Sequence, residues 1–177
     1  MKMADGGFRP AYNMQLAVDV ESRVVVAARA TNSGGDMGQV EATLDEIEQR
    51  TGRKPDDYLV DGGFAKRESI DNLTERGVRV FAPVMTPSKD RDPNKRQRKD
   101  SAAVAAWRAR MQSDEAKEIY RQRGATIETV NGDLKDHRAF ERLRVRGLPR
   151  VQCALLWTVL TYNLMRAIAI APQIMTG

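Results

Sequence analysis

Two carboxylates in unlike settings are the residues on which a chemistry could be built. Asp61 closes the short apolar run Tyr58-Leu59-Val60 on a double glycine, Gly62-Gly63, followed by Phe64. Glu128 sits in a basic stretch, with Arg121 and Arg123 ahead of it and Lys135 seven residues on. Acidic groups held among basic ones suit a site that binds a divalent metal and acts on a polyanion. The carboxylates would take the cation, and arginine and lysine the phosphate oxygens. Each residue also has a plainer reading. Asp-Gly is a common turn dipeptide, and a Glu and a Lys seven apart lie on one face of any continuous helix. The chemistry rests on the combination.

Composition narrows the choice of partner. Of 177 residues, 29 are Lys or Arg and 24 Asp or Glu. Residues 1–85 hold 11 basic and 14 acidic groups, whereas residues 86–150 hold 17 and 10. A positive surplus confined to the second half suggests an anionic partner there, and nucleic acid is the usual one; a solvated, salt-bridged helical surface is the alternative. Cys153 is the single cysteine and His137 the single histidine. An intrachain disulfide, a cysteine zinc site and a histidine-based triad are thereby disfavoured, and a reducing cytoplasm fits. Any metal would be held by oxygen, which favours Mg²⁺ or Mn²⁺. The apolar run from Val151 to Ala171 is long enough to span a bilayer. It contains Gln152, Asn163 and Arg166, so a buried C-terminal helix is the better expectation than a membrane span.

The elements that must position these residues follow from periodicity. Tyr12, Met14, Leu16 and Val18 alternate with polar or small residues, and Arg23 to Ala28 can return, which predicts a β-hairpin over 12–31 with a turn at Glu21-Ser22. Asp36, three before Gln39, reads as a helix N-cap, with Met37, Val40, Leu44 and Ile47 on the buried face and Gly52 as the stop. Tyr58 to Val60, a helix over 68–76 burying Ile70 and Leu73, and Val78 to Phe81 make a strand–helix–strand pattern of parallel type. Residues 86–100 carry two prolines and six basic groups without apolar periodicity, which predicts a mobile basic loop. From Ser101 the chain reads helical, with breaks near Gly124 and Gly147-Leu148-Pro149. The expectation is one α/β domain over 1–171 with a helical C-terminal half, then a tail over 172–177. Asp61 would stand at a strand's carboxyl end, where open α/β sheets place their chemistry.

At this point the sequence resembles the C-terminal catalytic part of bacterial insertion-sequence transposases of the Asp-Asp-Glu type. The likeness is carried, in family order, by Ala11-Tyr12-Asn13-Met14-Gln15-Leu16-Ala17-Val18-Asp19, Thr31-Asn32 with Asp36, and Val60-Asp61-Gly62-Gly63-Phe64. It continues through Tyr120, Arg123, Glu128 and Lys135, Arg144-Val145-Arg146-Gly147-Leu148, and Tyr162-Asn163-Leu164. The resemblance implies a ribonuclease-H-like fold, a mixed sheet flanked by helices. It makes Asp61 the second acidic residue of the triad and Glu128 the third, both metal ligands and expected to converge on one metal site. Tyr120, Arg123 and Lys135 match positions that grip transposon-end DNA. Lys95, Arg96, Arg98 and Lys99 of the basic loop are expected to add to the DNA surface.

The implied function is DNA transposition: cleavage at insertion-sequence ends and strand transfer, with Mg²⁺ or Mn²⁺ and without a covalent protein–DNA intermediate. The partners would be transposon-end and target DNA, and a second copy or a full-length transposase. Two departures stand out. Asn131 precedes Gly132 where the family usually has an aromatic. The family's first acidic residue lies on a strand before the one that Tyr12–Asp19 matches, and Asp19, on the following strand, is the nearby substitute. The expectation is an N-terminally truncated transposase that is inactive alone, or else a non-catalytic fragment that binds DNA or transposase and inhibits transposition.

Overall fold

Alternation of apolar and polar residues does give a hairpin. Strand β1, Asn13–Val18, pairs antiparallel with β2, Val25–Thr31, so that Met14 faces Ala30 and Leu16 faces Ala28, with an irregularity between Ala17 and Val18. The turn is shaped by Asp19, whose Oδ1 accepts hydrogen bonds from the Ser22 backbone N–H at 2.7 Å and from the Ser22 hydroxyl. Arg23 takes the left-handed conformation that closes it, at φ 59°. The computed structural model describes residues 12–33, 38–85, 95–138 and 143–171. The N-cap expected at Asp36, the loop residues 86–94 and the tail 172–177 lie outside them.

The hairpin is completed by α5, Leu148–Ile170. Gly147, at φ 86°, and a proline in the first turn start this helix where the sequence predicts a break. Val151, Leu155, Val159 and Tyr162 recur at helical spacing and pack on Val25, Ala28 and Ala30. Its polar residues are used on the hairpin's main chain. Asn163 Oδ1 accepts from the Val25 N–H at 2.9 Å and its Nδ2 donates to the Val25 carbonyl at 2.8 Å. Gln152 does the same for the Ala30 N–H and the Ala28 carbonyl, at 2.7 and 2.9 Å. The Tyr162 hydroxyl donates to the Arg23 carbonyl and the Arg166 guanidinium to the Ser22 carbonyl. By length and composition alone α5 could cross a membrane, but each polar residue that argued against a span has a partner on the hairpin. The expectation of a buried helix holds for one face only. Trp157, Leu160, Leu164 and Met165 are exposed on the other.

A second unit forms from residues 36–124, the first comprising residues 1–35 and 125–177. In it α1, Gln39–Thr51, begins after Gly38 without a side-chain cap and ends at Gly52, whose φ of 72° needs glycine. Strand β3, Asp57–Leu59, helix α2, Arg67–Glu75, and β4, Arg79–Phe81, make the predicted unit, with Tyr58 opposite Val80 in a parallel pair. Helix α3, Ala102–Arg110, starts at Ser101, whose hydroxyl accepts from the Val104 N–H. The core gathers Leu44, Ile70, Leu73, Val78, Val80, Val104 and Trp107.

Three expectations change. The described strands make two sheets of two strands each, β1–β2 and β3–β4, rather than one mixed sheet. The break expected at Gly124 is absent. Helix α4, Asp114–Gly132, runs through it, since one interior glycine costs only about 1 kcal/mol while Ala116, Thr126 and Val130 bury along its length. After Gly132 the winding loosens into a π-helical turn, Asp133–His137. No hydrophobic periodicity signals that change.

Replacing Asn163 by leucine should destabilise the protein by about 1–3 kcal/mol, because the Val25 N–H and carbonyl lose partners at a buried position. Chemical denaturation would measure it, and an unchanged midpoint would mean that water serves the strand edge equally well.

Candidate functional site

Asp61 owes its position to β3 and to the glycines that follow. The Val60 N–H donates to the Phe81 carbonyl at 2.9 Å, so the pairing with β4 holds the chain up to this residue. Asp61 is still extended (φ −70°, ψ 155°), and a single 3₁₀ turn, Gly62–Phe64, follows. Its Oδ1 accepts from the Gly62 N–H at 2.8 Å, the turn-shaping role that the plain reading gives it. Its Oδ2 faces the Arg123 guanidinium, with Nη2 at 3.7 Å. Neither Gly62 nor Gly63 has a positive φ, and a Cβ on Gly62 would meet nothing closer than the Pro83 carbonyl oxygen at 3.6 Å, an ordinary contact. Packing does not demand the double glycine. It leaves bare backbone beside a carboxylate whose side chain is 60% exposed.

Helix α4 brings Tyr120 and Arg123, one turn apart, to the same place. Burial raises the Tyr120 pKa; Arg123's charge opposes that shift and Asp61's charge adds to it. The phenol therefore stays protonated through neutral pH. Three residues singled out from separate parts of the sequence, Asp61, Tyr120 and Arg123, form one cluster in the 36–124 unit.

Glu128 and Lys135 belong to the hairpin unit. Val130 and Leu134 anchor this part of the chain in the core with Val151 and Leu155, which leaves Glu128 on α4 and Lys135 on the π-helical turn exposed. The expectation that the two share a face assumed one continuous α-helix. The wider turn after Gly132 rotates Lys135 out of that register. Just beyond, Arg138 pairs with Asp133 at 2.7 Å and lies over the Tyr162 ring at 5.7 Å. Asn131 is half-buried in this segment.

The basic segment is loop where it is described, from residue 95. Lys95, Arg96, Arg98 and Lys99 are exposed on a turn closed by a bond from the Asp100 N–H to the Gln97 carbonyl at 3.0 Å. Asp100 turns inward, its side chain wholly buried. Oδ2 accepts from the Gln97 N–H at 2.7 Å and from Arg108 Nε at 2.9 Å, and Arg67 Nε stands 3.2 Å from Oδ1. Arg67 also donates to Gln97 Oε1 at 2.6 Å, and Ser101 to Asp71. Sequence reasoning missed Asp100. The available signal was an acid ending a basic run directly before a helix N-cap, with an arginine two turns into that helix.

With this geometry in hand, comparison with known proteins is decisive. A family model, the transposase DDE domain, matches residues 2–164, nearly the whole chain. The chain belongs to that family. No curated protein and no solved structure matches it. Membership in the transposase DDE family implies a DNA substrate and the use of divalent metal ions.

Whether the residues of this transposase domain fit such an ion can be asked at Asp61. A hard divalent cation needs about six oxygen ligands. Within its unit Asp61 offers one carboxylate, half of it bonded to Gly62 and the other half facing a cation. Among the described residues there is no group of three or more acidic, histidine or cysteine side chains that could hold a metal. As arranged here, the Asp61 surroundings do not fit the ion.

Replacing Asp100 by alanine should cost about 3–5 kcal/mol, because the buried Arg108 guanidinium loses its carboxylate and the Gln97 N–H its acceptor. Arg67→Gln, removing the more exposed partner, should cost much less. Denaturant midpoints of the two variants would check the ranking, and equal midpoints would contradict it.

Proposed function

We propose that this transposase DDE domain acts in DNA transposition by phosphoryl transfer at the ends of an insertion sequence, on a ribonuclease-H-like fold. The observation that carries the reading is the meeting of Asp61 with Tyr120 and Arg123, residues at signature positions of one family brought together from β3 and α4. The parallel strand–helix–strand unit, with Asp61 just after its first strand, supports the fold.

In this reading Asp61 and Glu128 are the catalytic carboxylates and the ligands that would hold Mg²⁺ or Mn²⁺ once the site is complete. Tyr120, Arg123 and Lys135 orient the transposon-end strand. Lys95, Arg96, Arg98 and Lys99 bind phosphates. The turn held by Asp100 carries Arg98 and Lys99, which supports a docking role because less loop freedom is lost there on binding. The substrate is transposon-end and target DNA, the partner a second copy or a full-length transposase, and the setting the bacterial cytoplasm at the nucleoid. No membrane contact is proposed.

A second reading is favoured by the guanidinium at Asp61. In it, a chain whose Asp61 carboxylate faces a guanidinium binds DNA or transposase without cutting, and inhibits transposition. Asp19 Oδ1 accepts hydrogen bonds from Ser22 in the hairpin turn, a turn-shaping role that favours this second reading.

Two measurements separate these outcomes. Binding to a DNA duplex should be steeply salt-dependent, at about −0.9 in log–log slope per phosphate neutralised. Alanine at Lys95, Arg96, Arg98 and Lys99 together should weaken binding and flatten the slope by up to about 3.6. Affinity that does not change across a salt titration would overturn the DNA reading. The chain alone should not nick transposon-end DNA with Mg²⁺ or Mn²⁺. Robust nicking abolished by Asp19→Ala would show that Asp19 completes the acidic set and would sink the inhibitor reading.

A further inference from the structure

We propose that the outer face of α5 is the docking surface for a second copy of this chain, the same stripe of both helices packing together about a two-fold axis. It rests on the function proposed above only in giving the second copy named there a surface. No metal or DNA contact enters the argument.

The two faces of α5 have different surroundings. Val151, Leu155, Val159 and Tyr162 are enclosed with β2. Away from them Cys153, Trp157, Leu160 and Leu164 are exposed, at intervals alternating four, three and four. That is the spacing of the seam between two paired helices. Thr161 and Met165 widen the stripe, and none of the six is charged. The Thr161 hydroxyl already donates to the Trp157 carbonyl at 3.0 Å, so covering it strands no donor. Arg166 is turned away, its guanidinium bonded to the Ser22 carbonyl.

Size and charge select the occupant. Trp157, Leu160, Leu164, Met165 and Ile170 together leave roughly 600 Å² of apolar surface open, the upper end of what a monomer ordinarily shows. Two copies meeting there cover roughly 1,200 Å², where specific interfaces begin. An area at that limit fits reversible pairing. A stripe without charge gives phosphates nothing to bind, which sets DNA aside. A helix lying on lipid keeps its opposite face charged and wet, whereas the opposite face of α5 encloses a core and is tied to β2 through Gln152 and Asn163. About a two-fold axis each patch meets itself, so a charged stripe would set like charges together. This one does not, and a second copy presents the same length, spacing and neutrality, with Trp157 as the aromatic anchor.

The test is sedimentation of the whole chain without DNA, so its outcome is independent of the DNA reading. At about 100 μM the unmodified protein should travel as two chains and dissociate on dilution to about 1 μM. The double variant Leu160→Glu with Leu164→Glu should stay a single chain at both concentrations, with an unchanged denaturation midpoint because both side chains are exposed. Should the glutamates lower that midpoint, acrylamide quenching of the unmodified protein decides: the Trp157 component should become roughly threefold less quenchable in the concentrated sample. A single chain at both concentrations, or pairing that survives both glutamates in a folded variant, would overturn the proposal. So would a chain that stays single in solution but floats with phosphatidylcholine vesicles, which would assign the stripe to lipid.

Discussion

Among the described residues each unit is founded on two strands, and a two-stranded sheet is marginal in water by itself. The rest of each unit supplies what further strands would have supplied, and the two do so differently. In the hairpin unit the outer edge of β2 meets side chains: Gln152 and Asn163 of α5 present amide donors and acceptors as a neighbouring strand's main chain would. In the other unit β3 and β4 are joined by α2, and Val80 of β4 shares one core with Leu44 of α1, Ile70 and Leu73 of α2 and Val104 of α3, all almost fully enclosed. Asp61 depends on the second arrangement, because the bond from Val60 to Phe81 holds the residue before it.

The charged residues fall into two kinds by their surroundings. Asp100 is buried among Arg67, Arg108 and a backbone N–H, where a carboxylate is strongly committed to its partners. Asp61 meets a single guanidinium at longer range and in partial contact with solvent, where an ion pair is worth little. The first fixes a basic turn. The second leaves a carboxylate partly open to solvent.

Elements with strong local signals were legible in the sequence. The alternation from Tyr12 to Val18, the helical spacing of Val40, Leu44 and Ile47, and the stop at Gly52 each have a cause within a few residues, and the structure follows them. Family motifs singled out Asp61, Tyr120 and Arg123 one by one, but their meeting was not foreseen, since no local rule places a strand end against a helix so far along the chain. What escaped was set by tertiary packing. Core anchors carried α4 through Gly124, the hairpin recruited the polar residues of α5, and Asp100 became a buried anchor because Arg67 and Arg108 happen to converge on it. The exposed stripe on α5 was hidden for the opposite reason: large apolar residues occur on both faces, so their spacing gives no sign of which face will be covered.

The chain's two tryptophans divide between the units. Trp107 is 4% exposed in the 36–124 unit, with the Arg108 guanidinium 5.6 Å from its ring, and Trp157 is 65% exposed on α5 in the other. The protein thus carries one fluorophore shielded from collisional quenchers and one open to them. Selective quenching of Trp157 leaves an emission that follows the core beneath the basic turn, while the quenchable fraction follows the outer face of α5. The same intrinsic signal can show whether anything comes to cover that face, and whether the two cores melt together or in turn.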